Sequence, residues 1–219
     1  MNDLDTIITQ DGSHTLFSKK FNQIYHSTFG AIQESRRVFI ELGLEYAIEH
    51  FSEIKVFEMG FGTGLNALMT AQVAQNRHIK IDYTTVEAYP IAIEIAQNLN
   101  YDGLINSNDL LKLHQQDWNI KDTINQYFTL QKIKGELEKT IFDTNDFNLV
   151  YYDAFAPETQ PELWTQEVFE KVATIMVQGG VLTTYCSKGY VQRNLKAAGF
   201  RVEKHAGPVG KREIIRAIL

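Results

Sequence analysis

The run Glu58-Met59-Gly60-Phe61-Gly62-Thr63-Gly64-Leu65-Asn66 carries the densest chemical signal in the sequence. Glycines in a turn let the backbone approach a ligand closely, and the free N–H groups of a helix starting there face it. The spacing Gly62-x-Gly64-x-x-Ala67 satisfies the alanine form of the dinucleotide pattern, which points to a nicotinamide or flavin cofactor. The preceding acid points elsewhere. Glu58 is unwelcome beside a pyrophosphate, but useful in front of a sulfonium compound that carries an ammonium group, as S-adenosylmethionine does. On that reading Glu58, Gly60, Phe61, Gly62, Thr63, Gly64 and Asn66 bind the cofactor. Glu87 follows 23 residues past Gly64, where a carboxylate can accept both ribose hydroxyls. Both cofactor classes want that acid, so it speaks for the fold more than for the cofactor. A third acid is expected at the adenine. Glu136, 17 residues before Asp153, is preferred to Asp117, and either also fits as a solvated charge.

The acceptor side is expected at Asp153-Ala154-Phe155-Ala156-Pro157, with Pro161 and Leu163-Trp164 beyond it. An acid, an aromatic and a proline at the end of a strand resemble the acceptor-amine loop of N-methyltransferases. The plainer alternative is a capped turn with its aromatics in the core, and Trp164 is assigned to the core. The single cysteine, Cys186, lies in an apolar stretch and reads as a small core residue. One cysteine allows neither an internal disulfide nor a cysteine metal site, and no metal is expected.

These residues need a scaffold that brings strand ends together. ITQDGSHTLFS, with its Asp11-Gly12 pair, reads as a hairpin, and AIQESRRVFIELGLEYAIEH as a helix with one buried face. From residue 54 strands and helices alternate. IKVFEMG, IKIDYTTVEA, FNLVYYDAF and GGVLTTYC read as strands. GLNALMTAQVAQN, PIAIEIAQNLN opening with Pro90, the span 163–177, and YVQRNLKAAGF ended by Gly199 read as helices. RVEKHAG and KREIIRAIL close the chain as an antiparallel pair. Within 101–146 only FTLQKIKG is assigned, as a strand. The alternation predicts an α/β, Rossmann-like, mostly parallel doubly wound sheet. Residues 1–50 are expected as a hairpin and helix packed on a catalytic domain spanning 51–219.

Composition narrows the class. The chain has 219 residues, 44% hydrophobic and 22% charged, the balance of a globular protein with a sizeable core. No apolar run reaches the roughly 18 residues a bilayer span requires. The polar, acidic start MNDLDTIITQDG is neither a signal nor a transit peptide, so a cytoplasmic location is expected, without membrane contact. The net charge of −6 hides an asymmetry: Lys188 to Arg216 holds eight basic residues and two acids, a local +6 against −12 for the remainder. Such a split hints at a polyanionic partner, although solvated faces explain it equally.

Taken together, EMGFGTGLN, DAFAP, PELWTQEVF, GGVLTTYCSKGYVQRNLKAAGF, the final GKRE and the early YHS and GAIQESRRVFIELG resemble the methyltransferase domain of the MnmC family. The glycine loop by itself matches the E/D-x-G-x-G loop of class I methyltransferases. The resemblance covers nearly the whole chain and implies a class I fold, S-adenosylmethionine as cofactor and tRNA as partner. The reaction it implies is methylation of the 5-aminomethyl group on the wobble (thio)uridine, giving 5-methylaminomethyl-2-thiouridine. Many members add a C-terminal FAD-dependent oxidase domain, whereas this sequence ends at Leu219 and implies methylation alone. The family's glycine-aspartate at the adenine strand is Gly135-Glu136 here, and its Gly-x-Gly before Lys-Arg-Glu is Gly207-Pro208-Val209-Gly210. Asp153 then holds the amine, Phe155 stacks on the uracil with Pro157 beside it, and Lys188, Arg193, Lys211 and Arg212 meet RNA phosphates. A free Asp lies so far below an alkylammonium in pKa that full proton transfer would cost roughly 9 kcal/mol. Asp153 therefore either has a raised pKa or mainly orients the nitrogen. Three rivals stay open: a polyamine-type aminopropyltransferase, a nicotinamide oxidoreductase, and an RNA-binding module with a degenerate pocket.

Overall fold

The computed structural model describes residues 3–142 and 144–219. It opens with a small antiparallel sheet of β1 (Leu4–Ile8), β2 (His14–Ser18) and β3 (Gln23–Ile24). Asp11-Gly12 makes the predicted turn between β1 and β2. The Asp11 carboxylate also accepts from the backbone N–H of Gln33 at 3.0 Å, and Ser13 Oγ accepts from the N–H of Ala31 at 3.1 Å. The hairpin thus caps the next helix from outside, where unpaired N–H groups and the helix dipole favour a carboxylate. That helix runs as α1 (Ala31–Ser35), a π-helical stretch Arg36–Leu44 and α2 (Glu45–His50). Gly43 brings its backbone onto the sheet, since a Cβ there would lie 3.0 Å from Thr183 Oγ1.

Strands and helices then alternate: β4 (Ile54–Met59), α3 (Leu65–Arg77), β5 (Ile81–Glu87), α4 (Ile93–Ala96), α5 (Tyr101–Ile105), α6 (Leu110–Gln115), β6 (Lys121–Asn125) and β7 (Phe128–Lys134). The second half comprises β8 (Phe147–Tyr152), α7 (Gln166–Thr174), β9 (Met176–Thr184), α8 (Gly189–Ala197), β10 (Arg201–Ala206) and β11 (Glu213–Ile218). The strands form one eight-stranded sheet in the order β10-β11-β9-β8-β4-β5-β7-β6. The five from β9 to β7 in that order are parallel, β6 and β11 run antiparallel to them, and β10 pairs antiparallel with β11. Every residue of β8 is buried, as a strand covered on both faces requires. Leu16, Val38 and Leu44 of the N-terminal segment share a core with Leu68 and Tyr151. Phe57, Trp164, Phe169 and Val191 belong to the core on the other face. The order reverses beside β4, so the ligand crevice belongs at the carboxyl ends of β4, β5 and β8.

Two helix readings are corrected. Pro90 does not open a helix: Ala92 is the N-cap of α4, which lasts four residues. Asn100 leaves the helix to hold the hairpin, accepting from the N–H of His14 at 2.9 Å and donating to the Gly12 carbonyl at 2.9 Å. The span 163–177 resolves into a 3₁₀ turn, Pro161–Trp164, and α7, which ends at Thr174. Val177 already belongs to β9. In the sparsely read stretch β7 is present, joined by α5, α6 and the edge strand β6. Among the described residues no helix is long and apolar enough to cross a membrane. Nor do these residues hold a group of three or more His, Cys, Asp or Glu able to bind a metal ion.

Candidate active site

The glycine loop joins β4 to α3 at the reversal point. Gly60, at φ 92°, brings its backbone against the end of β8, where a Cβ would lie 2.9 Å from the Asp153 carbonyl oxygen. Gly64, at φ 76°, is the left-handed N-cap of α3. Only glycine takes these conformations without strain. Glu87 at the end of β5 straps the loop: one carboxylate oxygen accepts from the N–H of Gly62 at 2.9 Å, the other from the N–H of Tyr89 at 2.7 Å. Burial raises the Glu87 pKa and these N–H groups oppose the rise. Beneath the loop, His114 Nε2 lies 2.9 Å from the Thr63 carbonyl. Lys132, fully buried on β7, donates to the His114 carbonyl at 2.7 Å. Burial lowers the Lys132 pKa to about 8.

Asp153, just beyond β8, faces a cavity of about 230 Å³ that the glycine loop and Glu87 also line. Asn66 on α3 donates to its carboxylate at 2.8 Å. Burial raises the Asp153 pKa to about 7, nearby Glu34 adds to the rise, and Asn66 and Lys211 oppose it. The Asp153 loop is held from behind. Trp164 Nε1 donates to the Phe155 carbonyl at 2.8 Å, and the Tyr185 hydroxyl donates to the Ala154 carbonyl at 2.8 Å. Trp164 is 1% exposed, the core position its sequence context suggested. Phe155 packs against Phe21 and Tyr25 of the N-terminal segment, with ring centroids 5.0 and 5.1 Å away.

Of the residues singled out in the sequence, Gly60, Phe61, Gly62, Thr63, Asn66, Glu87, Asp153, Phe155 and Lys211 line this cavity. Glu58 does not. It lies under the loop with both carboxylate oxygens sealed from solvent and without a well-aligned hydrogen bond. Burial pushes its pKa well above the usual carboxylate range, Asp153 pushes further, and nearby Asn66, Tyr83 and Thr85 oppose. Gly64 stays out of the cavity because His114 and Phe61 pack against it. Glu136 lines a neighbouring cleft with Ala88 and Tyr89 and pairs with Lys139 at 2.6 Å. Asp117 lines neither. Pro157 is buried, and Lys188 is ion-paired with Glu158. Arg193 and Arg212 are exposed, outside the cavity.

Tyr25, His26, Glu34, Tyr89 and Tyr185 also line the cavity, without having been assigned a role from the sequence. Tyr25, His26 and Glu34 lie within YHS and GAIQES, whose likeness to a family was visible, but no periodicity says that a hairpin folds over a distant strand end. His26 bridges the two parts, 3.1 Å from Thr15 Oγ1 and 3.5 Å from Thr63 Oγ1, and burial lowers its pKa to about 4.

The sheet order, the glycine loop at the end of β4 and the acid at the end of β5 define a Rossmann-like methyltransferase fold. The chain belongs to the family of S-adenosyl-L-methionine-dependent methyltransferases, whose family model matches residues 86–219. Two curated relatives bear the name tRNA 5-methylaminomethyl-2-thiouridine biosynthesis bifunctional protein MnmC. The one from Cupriavidus metallidurans is 30% identical over 96% of this chain and 33% of its own length. The one from Pseudomonas fluorescens is 31% identical over 91% of this chain and 32% of its own. The chain thus spans about a third of their length. The crystal structure of MNMC2 from Aquifex aeolicus superimposes with a TM-score of 0.75 at 22% identity, over 99% of this chain and 70% of that one.

The cofactor of this family is S-adenosylmethionine, and the cavity fits it. Gly60 and Gly62 present backbone without side chains to the cavity. Each Glu87 oxygen keeps a second lone pair beyond the N–H it already accepts, enough for a ribose diol.

Proposed function

We propose that the chain methylates the 5-aminomethyl group of the wobble (thio)uridine in tRNA, yielding 5-methylaminomethyl-2-thiouridine, in the cytoplasm. The observation that carries this reading is the position of Asp153. It is an acid with a raised pKa, facing the cavity that the glycine loop and Glu87 border. The names of the curated relatives supply the substrate class, and the rims formed by Phe155 and Tyr25 suit an unstacked pyrimidine.

The bound cofactor supplies an electrophilic methyl group. The protein must bring a neutral nitrogen in line with it and exclude water. Asp153, fixed by Asn66, accepts a hydrogen bond from the acceptor nitrogen and takes its surplus proton. With Asp153 near pH 7 the transfer from an alkylammonium costs about 4–5 kcal/mol, roughly half the cost to a free Asp. Burial therefore does chemical work that an exposed carboxylate could not. Burial and the neighbouring Asp153 both raise the Glu58 pKa, which disfavours a second negative charge beside Asp153. Gly60, Phe61, Gly62, Thr63, Asn66 and Glu87 hold the cofactor, with Glu136 reaching the adenine side from its neighbouring cleft.

The test is direct. Purified protein, S-adenosylmethionine and tRNA carrying 5-aminomethyl-2-thiouridine are combined, and the nucleosides are read by mass spectrometry. A gain of one methyl on that nucleoside is expected. An unchanged tRNA nucleoside, together with aminopropyl transfer to putrescine when decarboxylated S-adenosylmethionine is supplied instead, would return the aminopropyltransferase alternative.

A further inference from the structure

An ion pair from two distant parts of the chain occupies the acceptor end of the cavity. Glu34 lies on α1, Lys211 in the turn between β10 and β11, and both line the cavity with Tyr185, which follows β9. Glu34 is 7% exposed. Its Oε2 accepts from the N–H of Ser27 at 2.7 Å, while Oε1 makes no hydrogen bond and is balanced by Lys211 Nζ at 3.1 Å. The same ammonium stands 4.4 Å from the centre of the Tyr185 ring. Asp153 completes the cluster, close enough for Glu34 and Lys211 to shift its titration in opposite directions. A carboxylate and an aromatic face on one cationic nitrogen, with a second carboxylate lining the same cavity, make a site for an alkylammonium ion. The nitrogen now in it belongs to the chain itself.

We propose that Glu34, Tyr185 and Asp153 form the subsite for the acceptor's aminomethyl ammonium group, and that Lys211 fills it until the acceptor arrives. The inference rests on the amine-acceptor reading above. The backbone under Lys211 is fixed: its N–H donates to the Pro208 carbonyl at 3.0 Å, and the Gly207 N–H to the Arg212 carbonyl at 3.2 Å. The moving part is the four-carbon stem, whose side chain keeps 28% of its surface exposed and so has a route to the rim. Exchanging one alkylammonium for another leaves the cluster's charge unchanged, so Glu34 is never stranded as an unpaired buried charge. A neutral substituent cannot make that exchange, and the subsite thereby selects aminomethyl over hydroxymethyl acceptors. The displaced Lys211 ammonium ends at the rim, beside an anionic substrate.

The test uses propylammonium as the probe and contains no RNA. It is titrated calorimetrically into the S-adenosylhomocysteine complexes of the wild-type chain, Lys211→Met and Lys211→Ala, with 1-propanol as the neutral control. Emptying the subsite should tighten propylammonium binding at least about tenfold over wild type, and adding Glu34→Gln should abolish the gain. Equal affinities in wild type and both variants would overturn the proposal. So would a gain that survives Glu34→Gln, or one that 1-propanol reproduces. Loss of S-adenosylhomocysteine binding in both lysine variants would also count against it, because Lys211 would then be part of the scaffold. Because no tRNA is present, this result and the tRNA methylation result can fail independently.

Discussion

Asp153 and Glu58 are two carboxylates near one loop whose surroundings give them different tasks. Asp153 faces the cavity, with Asn66 at 2.8 Å and a pKa near 7, whereas both Glu58 oxygens are sealed. If Asp153 takes the acceptor's proton, turnover should climb with pH through about 7 as it ionises. Asp153→Asn should lose that limb and about 100-fold or more in turnover, with S-adenosylhomocysteine affinity little changed. Near wild-type turnover on the aminomethylated tRNA would make Asp153 a structural cap instead. The stability effect has the opposite sign. A carboxyl whose folded pKa is raised contributes stability at low pH that is lost as pH rises from about 4 to about 7. The amide escapes that loss, so Asp153→Asn should unfold at a higher temperature than wild type at pH 8, by up to about 4 kcal/mol. For Glu58, a sealed carboxyl whose pKa burial raises, the expectation is that Glu58→Gln, a neutral near-isostere, keeps S-adenosylhomocysteine affinity within about threefold in a calorimetric titration. A loss of tenfold or more would show that a charged Glu58 is needed at the cofactor.

The elements carry the site by close approach of loops, and Gly60 is where that approach is tightest. A Cβ at Gly60 would meet the backbone carbonyl of Asp153 at 2.9 Å, and the residue sits at φ 92°. Neither strand end can yield, because Gly60 N–H donates to the Val86 carbonyl and Asp153 N–H to the Met59 carbonyl. Gly60→Ala should cost about 2 kcal/mol or more in thermal stability and weaken S-adenosylhomocysteine binding at least tenfold. A variant equal to wild type in both would show that the loop has slack. The glycine loop, Glu87 and Asp153 were legible in the sequence because each follows a short apolar strand, and strand ends in an alternating α/β pattern converge. Glu34 and Tyr185 were not, since their place depends on a hairpin and a turn that fold across the sheet. The same limit explains Pro90: its segment is spent on Asn100, which ties down the hairpin instead of prolonging a helix. Glu58 illustrates a different limit. Its place in the motif was readable, but the direction of its side chain depends on the packing under the loop.

On the scale of the molecule, the +6 segment near the C-terminus hints in sequence at a polyanionic partner, and in three dimensions much of it is already paired. Lys188 pairs with Glu158, Lys204 with Glu213, Lys211 with Glu34, and Arg201 and Arg216 share Glu203. Among the described residues Arg193, Lys196 and Arg212 of this stretch have no ion-pair partner within 4.0 Å, and all three are exposed. A paired lysine can meet a phosphate only by giving up its carboxylate, so the free cations should dominate the counterion release. Three phosphate contacts correspond to a log–log salt slope of about −2 to −3, against about −6 if all eight basic residues acted on single-stranded phosphates. The slope, measured by filter binding of the aminomethylated tRNA between low and physiological salt, decides between them. The two neighbours in the final turn should then separate. Arg212→Glu should weaken tRNA binding and make the slope shallower by about one contact, while turnover at saturating tRNA stays close to wild type. Lys211→Met should change the slope less and act chiefly on turnover, because its ammonium sits in the cavity on Glu34 and not among the surface cations. If both substitutions lower affinity equally and leave saturated turnover alone, Lys211 is one more phosphate contact, and its burial against Glu34 is incidental to the reaction.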